Sequence, residues 1–217
     1  YEKTKRQVPL KNDFIQYLIN TIQNKCAEIE IIKNNSEIGQ KFTLMKTSAD
    51  SLKKSADALN DSSLWEKKKI KKKDEKTGEE IAVEDYDWDK ITKAVKSFVE
   101  DYNDVVKEAG ESNTKDVLRN ASWMTGMTDK NSNMLAKIGI TIGKGNKLEL
   151  DEDALKQADI SSLKTVFTGY NSFVSKISQK ATGISNAANR ASATYTNNGT
   201  YSKTDSSLTS SKIDKEV

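Results

Sequence analysis

The residue types that carry most enzyme chemistry are nearly absent from this chain. Its 217 residues include no His and a single Cys, Cys26. Without His, neither a Ser-His-Asp triad nor an imidazole metal site can be built. One Cys can form neither an intramolecular disulfide nor a zinc knuckle, so we expect Cys26 to be a small buried apolar residue.

Three groups of acidic residues have spacings that could serve metal or acid–base chemistry. Residues 129–133 begin like a calcium-binding loop, but Met134 replaces the required Gly and Ile140 the bidentate Glu. The acids of residues 85–89 alternate in the same way, but Lys90 and Lys96 occupy the positions where a calcium-binding loop needs Gly and Glu. The acids of residues 151–153 are explained by the dipole at a helix start. The sequence therefore predicts no catalytic residue, no metal site and no cofactor.

Two further segments could contact phosphate groups. Gly143-Lys144-Gly145 lacks the spacing and the Ser or Thr of a phosphate loop, and a hairpin turn explains it. Residues 67–73 hold six Lys in seven positions, which could bind nucleic acid. However, no aromatic residues are interleaved with these Lys, and the acids of residues 79–85 offset their charge. Nucleic-acid binding is therefore a low-ranked alternative, and enzyme activity ranks below it.

The elements that carry these residues are predicted to be helices. Only 35% of the residues are apolar and 31% are charged, with a net charge of +3. So small an apolar share implies a thin core, as in rods and bundles, and so small a net charge does not favour disorder. No stretch of about eighteen apolar residues could span a membrane.

Four stretches have apolar residues every three or four positions, as on one face of a helix. The first runs from Asp13 to about Lys33, and Asn34-Asn35-Ser36 is predicted to end it. The four apolar seams are Phe14, Leu18, Ile22, Cys26 and Ile29; Met45, Ala49, Leu52, Ala56 and Leu59; Ile91, Val95, Phe98, Tyr102, Val105 and Ala109; and Tyr170, Phe173, Ile177, Ala181, Ile184, Ala188, Ala191 and Tyr195.

These seams are predicted to face one another, because no other apolar surface is available. The expected fold is mainly α, an elongated antiparallel helical bundle or coiled coil with one or two small β-hairpins. We expect Gly110 to end the third helix, Gly183 to be a packing notch or a weak point, and the three Trp to be hinge and core anchors. The residues expected to carry the seam packing are Leu52, Ala56, Leu59, Val95, Phe98, Tyr102, Phe173, Ile177 and Ile184.

Two hairpins are predicted from alternating residues around turns. Ile138–Leu150 alternates on both sides of a Gly-rich turn, and Asp151 is placed to cap a short helix after it. In Trp65–Tyr86 a basic run faces an acidic run, with a charged loop as the alternative, and Asp87 is placed to cap the helix that follows.

The predicted organisation has five parts. They are a flexible N-terminal arm (1–12), an N-terminal helical half (13–64), a charged hairpin or loop (65–86), a C-terminal helical half with a small hairpin (87–195) and a polar C-terminal tail (196–217), expected to be mobile when alone.

The third predicted helix contains the motif Phe-Val-Glu-Asp-Tyr-Asn from Phe98 to Asn103. It is similar to the Phe-Val-x-x-Tyr-Asn helix of the flagellar filament-capping protein family, hook-associated protein 2, which the chain resembles. Residues 135–141 resemble its Leu-Gly-Ile-Thr segment, and residues 145–155 its Gly-Lys-Leu-x-Leu-Asp-Glu-x-x-Leu segment. Residues 51–64 look like its N-terminal helix and Leu-x-Ser-Ser-x-aromatic stop, and Val166-Phe167 like its apolar end before the last helix. The resemblance spans roughly residues 42–195.

The resemblance implies a non-enzymatic, secreted structural protein of the bacterial flagellum. Its helices would pack on copies of itself, flagellin or hook-associated proteins, and its ends would become ordered on assembly. One departure is large. The family carries two mostly β head domains between its helical halves, and here only about residues 67–85 lie there, which implies a leg domain without a head. The alternative to a flagellar function is a secreted helical effector or partner-binding protein unrelated to motility.

Overall fold

The computed structural model describes residues 9–73 and 80–194. The chain divides into two compact units, one of residues 42–190 and one of the terminal segments 1–41 and 191–217. The elements in chain order are α1 (Pro9–Asn60), β1 (Lys68–Lys73), β2 (Glu80–Asp85), α2 (Trp88–Gly110), α3 (Lys115–Lys130), α4 (Ser132–Ala136), β3 (Ile140–Ile142), β4 (Leu148–Leu150), α5 (Glu152–Gln157), α6 (Ile160–Phe167) and α7 (Phe173–Thr194). The prediction of a mainly α fold with small β-hairpins is confirmed.

The first two predicted helices are one helix. α1 continues for 52 residues from Pro9 to Asn60, so the predicted end at Asn34-Asn35-Ser36 is wrong. Asn and Ser are only modestly less favourable than Ala inside a helix, whereas Gly or Pro would be needed for a strong interruption. These three polar residues therefore lower the stability of the helix too little to end it.

Both predicted hairpins are present. β1 pairs with β2 in an antiparallel register that places Lys68 opposite Asp85 and Lys69 opposite Glu84. β3 pairs with β4, with Ile140 opposite Leu150, and the turn between them uses positive φ angles of 70° at Gly145 and 60° at Asn146. Gly and Asn are the residues that adopt this left-handed conformation most readily, so the Gly-rich turn was a sound signal.

Helix starts and ends follow the predicted local chemistry. The Asp87 carboxylate accepts a hydrogen bond from the Lys90 amide at the start of α2, which ends at Gly110. The Asp151 carboxylate accepts from the amides of Asp153 and Ala154 at the start of α5. Each capped start satisfies amides that the helix itself leaves without a partner.

Residues 42–190 enclose one hydrophobic core. Its members come from the second half of α1, from α2 to α7 and from both strands of the second hairpin. The third apolar seam is buried throughout, and so is the fourth from Phe173 to Ala188. Tyr170 was assigned to the fourth seam wrongly, because it precedes α7 and is 83% exposed. Tyr195 and the predicted mobile tail lie outside the described residues.

The first apolar seam is not buried. Phe14, Leu18, Ile22 and Ile29 are exposed, and Cys26 is exposed as well, so its predicted burial is wrong. These residues belong to the terminal unit, where residues 13–34 are exposed throughout. Within the described ranges, no helix is both long and apolar enough to cross a membrane.

Candidate packing surfaces

The nine predicted packing residues all lie in the core of residues 42–190. Three come from α1, three from α2 and three from α7, and each is at most 2% exposed. Their neighbours are other residues of the same core. These side chains therefore hold the helices of this unit together, and surfaces for partners must be sought among other residues.

Stacked aromatic rings form the centre of that core. The Phe98 ring lies 6.4 Å from the Phe167 ring and 6.3 Å from the Phe173 ring, both in edge-to-face geometry. The Trp65 ring stacks on Phe167 at 5.5 Å, and its indole N–H donates to the Leu59 carbonyl. Such pairs contribute about 0.5–1.5 kcal/mol beyond the burial of their area. Phe98 thus joins α2, α6 and α7 at one point.

The Tyr-Asn pair that follows Phe98 on α2 makes one buried and one partly buried polar connection. The Tyr102 hydroxyl donates to the Thr128 hydroxyl of α3 at 2.9 Å, and burial raises the pKa of Tyr102 to about 12. The Asn103 side-chain amide donates to the Leu148 carbonyl at 2.8 Å and accepts from the Leu148 amide at 2.7 Å. The Asn103 side chain therefore occupies the outer edge of β4 much as a neighbouring strand would.

Two carboxylates of α1 connect that helix to α7. The Ser178 hydroxyl donates to Asp57 at 2.8 Å, and the Ser185 hydroxyl donates to Asp50 at 2.6 Å. Lys46, one turn before Asp50, and the Ser185 hydroxyl both hold the pKa of Asp50 below its usual value. These bonds set the register of α1 against α7, because each seryl donor lies opposite one acceptor.

α1 carries a broad apolar face that is exposed. At about 100° per residue, eight exposed side chains fall within an arc of about 140° on the helix. We call this set the α1 stripe; its members are Phe14, Ile15, Leu18, Ile19, Ile22, Cys26, Ile29 and Ile32. Ile22 is 61% exposed and Ile29 is 64% exposed. The sequence pattern found five of the eight, but it could not show that they are exposed.

A second exposed surface lies between α3 and α7. A groove of about 480 Å³ is lined by Ser122, Trp123, Gly126, Met127, Lys130, Asn131 and Lys176. We call it the α3–α7 groove. Trp123 is 43% exposed, so its predicted role as a core anchor is wrong, and the Lys180 ammonium lies 4.4 Å above its ring. Periodicity alone gave no signal for this groove.

Gly183 is a packing notch between the same two helices, one of the two interpretations that the sequence left open. A Cβ added there would lie 2.7 Å from Oδ1 of Asn120, which is too close for an unaltered neighbour. Further along, the Arg190 guanidinium lies 3.4 Å from the Asp116 carboxylate. α3 and α7 therefore run side by side in opposite directions.

The first hairpin has an exposed, highly charged face. The Lys67 ammonium lies 5.7 Å from the centre of the Tyr86 ring, and the strand register places Lys68 opposite Asp85 and Lys69 opposite Glu84. Each exposed pair of this kind contributes roughly 0.2–1 kcal/mol.

Within the described ranges, no group of three or more His, Cys, Asp or Glu residues could hold a metal ion.

One protein family matches the C-terminal part of the chain. Residues 112–216 match the sequence profile of a family described as flagellar hook-associated protein 2 C-terminus. This range contains α3 to α7, with the second hairpin, the α3–α7 groove and the Gly183 notch. No curated protein and no solved structure matches the chain.

Proposed function

We propose, because residues 112–216 match the family described as flagellar hook-associated protein 2 C-terminus, that this chain is a non-enzymatic assembly protein of the bacterial flagellum. In this proposal it acts at the filament tip, outside the cell, as a filament-cap-like subunit. Its partners are further copies of itself, flagellin or other hook-associated proteins. It works by packing helices against them.

The observation that carries the helix-packing part of this proposal is the exposed α1 stripe. Large contiguous apolar patches on a protein surface generally mark sites of interaction with other molecules. The predicted packing residues of residues 42–190 are already buried against one another, so they cannot supply such a surface. The α1 stripe supports a helix-packing role because its width of about 140° suits contact with more than one neighbouring helix.

The test compares charged substitutions on opposite faces of α1. Ile22→Asp combined with Ile29→Asp places two carboxylates in the centre of the α1 stripe. Ile31→Asp is the matched control, because Ile31 is two residues from Ile29, about 200° around the helix, and is 59% exposed. All three side chains are exposed, so these changes should leave folding nearly unaltered.

Two measurements read out the effect. Light scattering coupled to size exclusion, over a series of protein concentrations, reports self-association, and cosedimentation with flagellin filaments reports binding to flagellin. We expect the wild type and Ile31→Asp to associate in at least one assay and the double variant to lose that association. A wild type that stays monomeric and ignores flagellin would refute the proposed function, and equal behaviour of all three proteins would refute the role of the α1 stripe.

A further inference from the structure

The two helices that form the α3–α7 groove are rich in positive charge. Together they hold six Lys or Arg residues against two Asp, a formal charge of +4, whereas the whole chain has a formal charge of +3. α7 contributes Lys176, Lys180 and Arg190 and contains neither Asp nor Glu. An acidic partner is therefore attracted to this face from beyond contact distance.

Three ammonium groups at the groove can pair with a partner's carboxylates. Within the described residues, Lys130, Lys176 and Lys180 form no ion pair with Asp or Glu, whereas Arg190 at the far end of the two helices contacts Asp116. Lys176 and Lys180 are four residues apart on α7, about 6 Å along the helix axis. Two carboxylates one helical turn apart on a partner have the spacing to meet these two ammonium groups.

The floor of the groove is apolar and contains a recess. Trp123 and Met127, one turn apart on α3, both line it, and Trp123 is 43% exposed. Gly126 is exposed, and a Cβ added to it would have no atom within 4 Å. An apolar side chain of a partner can therefore enter above Gly126 and cover the indole and the thioether. A partly exposed Trp is a residue typical of interface centres.

An amphipathic helix suits this groove better than a nucleic acid does. Surfaces that bind single strands stack bases on open aromatic faces, but the Lys180 ammonium already occupies one face of the Trp123 ring, at 4.4 Å. A groove between two antiparallel helices accepts a third helix, which lays its apolar face on the floor and its polar flanks along the rim. Since the rim is basic, the matching flanks are acidic.

We propose that the α3–α7 groove binds an acidic amphipathic helix of a different protein. That helix presents an apolar side chain to the recess at Gly126, and carboxylates one turn apart on its flank face Lys176 and Lys180. This inference rests on the proposed function, in which the chain packs helices against its partners, and it names a surface separate from the α1 stripe.

The probe is a phage-displayed library of a small helical scaffold that is randomised along one helix face. Selection uses the full-length protein, and fluorescence anisotropy at low and high salt then measures binding of single purified clones. Two variants of the groove are compared with the wild type. Lys176→Glu combined with Lys180→Glu reverses the charge of the rim, and Gly126→Leu fills the recess without changing the charge.

Each groove variant has a matched control. Lys156→Glu combined with Lys164→Glu makes the same change in net charge on exposed residues of α5 and α6. Asn133→Leu adds the same side chain as Gly126→Leu at an exposed position of α4. Thermal melts show which variants are folded. If a groove variant does not fold, the milder Lys176→Gln with Lys180→Gln or Gly126→Ala replaces it, with a weaker effect in the same direction.

Selected clones should be enriched in Asp and Glu on both sides of an apolar residue, and added salt should weaken their binding, because the ion pairs lie at an exposed rim. Both groove variants should bind these clones at least about tenfold more weakly than the wild type, since one repels the carboxylates and the other fills the place of the apolar side chain. Both controls should bind like the wild type.

Several results would overturn this assignment of the groove. A library without enrichment, or enriched clones without acidic residues, would exclude an acidic helix. Clones that bind Gly126→Leu as tightly as the wild type would show attraction by charge alone. A single-stranded oligonucleotide that binds more tightly than the clones would point to nucleic acid, and self-association that Gly126→Leu abolishes in sedimentation velocity would point to a second copy. A groove that selects nothing while the wild type still binds flagellin would refute this inference and leave the proposed function standing.

Discussion

Removing the Asn103 side-chain amide tests how the second hairpin is attached to α2. Asn103→Ala deletes two hydrogen bonds, of 2.8 and 2.7 Å, and leaves both the amide and the carbonyl of Leu148 without that partner. Leu148 is 2% exposed, so water reaches those groups poorly. An unsatisfied buried polar group costs about 1–3 kcal/mol. Because the hairpin can shift to admit some water, we expect a loss of about 2–3 kcal/mol in the free energy of unfolding.

The loss should appear in urea denaturation and in thermal melts. For a chain of this size 1 kcal/mol corresponds to roughly 2–4 °C in Tm, so the melting temperature should fall by roughly 4–12 °C. Hydrogen exchange of the Leu148 amide should also become faster than in the wild type. Asn103→Asp should be no better than Asn103→Ala, because a carboxylate cannot donate to the Leu148 carbonyl and would repel it.

Asn133→Ala is the matched control, since Asn133 is an exposed residue of α4. It should change stability by no more than about 0.5 kcal/mol. If Asn103→Ala were as mild as this control, or if exchange of the Leu148 amide were unchanged, the clamp between α2 and β4 would be the wrong explanation of how the hairpin is held.

Three further perturbations address the core and the helix contacts. Phe98→Ala should lower the free energy of unfolding by about 3–5 kcal/mol in urea titrations, because the ring is fully buried among other aromatic rings. Since burial raises the pKa of Tyr102 to about 12 from 10.0, the unfolded state ionises first, and stability should fall as pH rises from 10 to 12. Tyr102→Phe should reduce that fall. Replacing Gly by Ala inside a helix generally raises the free energy of unfolding by roughly 1 kcal/mol. Gly183→Ala alone should show little of this increase, because the new Cβ meets Asn120, whereas Gly183→Ala combined with Asn120→Ala should recover it.

A different result would contradict each of these three predictions. A Phe98→Ala protein that unfolds within about 1 kcal/mol of the wild type would mean that the core is not centred on this ring. Parallel stability profiles of wild type and Tyr102→Phe between pH 10 and 12 would exclude the phenol as a source of alkaline sensitivity. Strict additivity of Gly183→Ala and Asn120→Ala would show that the notch does not couple α3 to α7.

Local sequence signals predicted much of the core of residues 42–190. Spacings of three and four placed Phe98, Tyr102 and Ile177 on buried faces, and each is buried. Alternation around Gly145 predicted the second hairpin, because a positive φ angle and a two-residue period are local properties. The same kind of reasoning failed at residues 34–36, where three polar residues have weak helix preferences and α1 simply continues.

The periodicity of the sequence could not predict which apolar helix faces are exposed. The first apolar seam and the seam of α2 follow the same rule of spacing, yet Ile29 is 64% exposed and Val95 is fully buried. Trp123 is likewise exposed although Trp65 is buried. A period identifies which residues share a face, whereas burial depends on whether another element of suitable shape reaches that face.

By itself the sequence determined the helical periods, the caps, the hairpin turns and the lack of His-based chemistry, because each depends on residues close together in the chain. Only the tertiary structure decided that the α1 stripe stays exposed and that α3 and α7 form a groove next to the partly exposed Trp123. These features arise from contacts between residues far apart in sequence, such as Ser178 with Asp57 and Lys180 with Trp123. A local sequence pattern does not predict which residues far apart in the chain come into contact. The exposed surfaces of this protein could therefore be identified only from its tertiary structure.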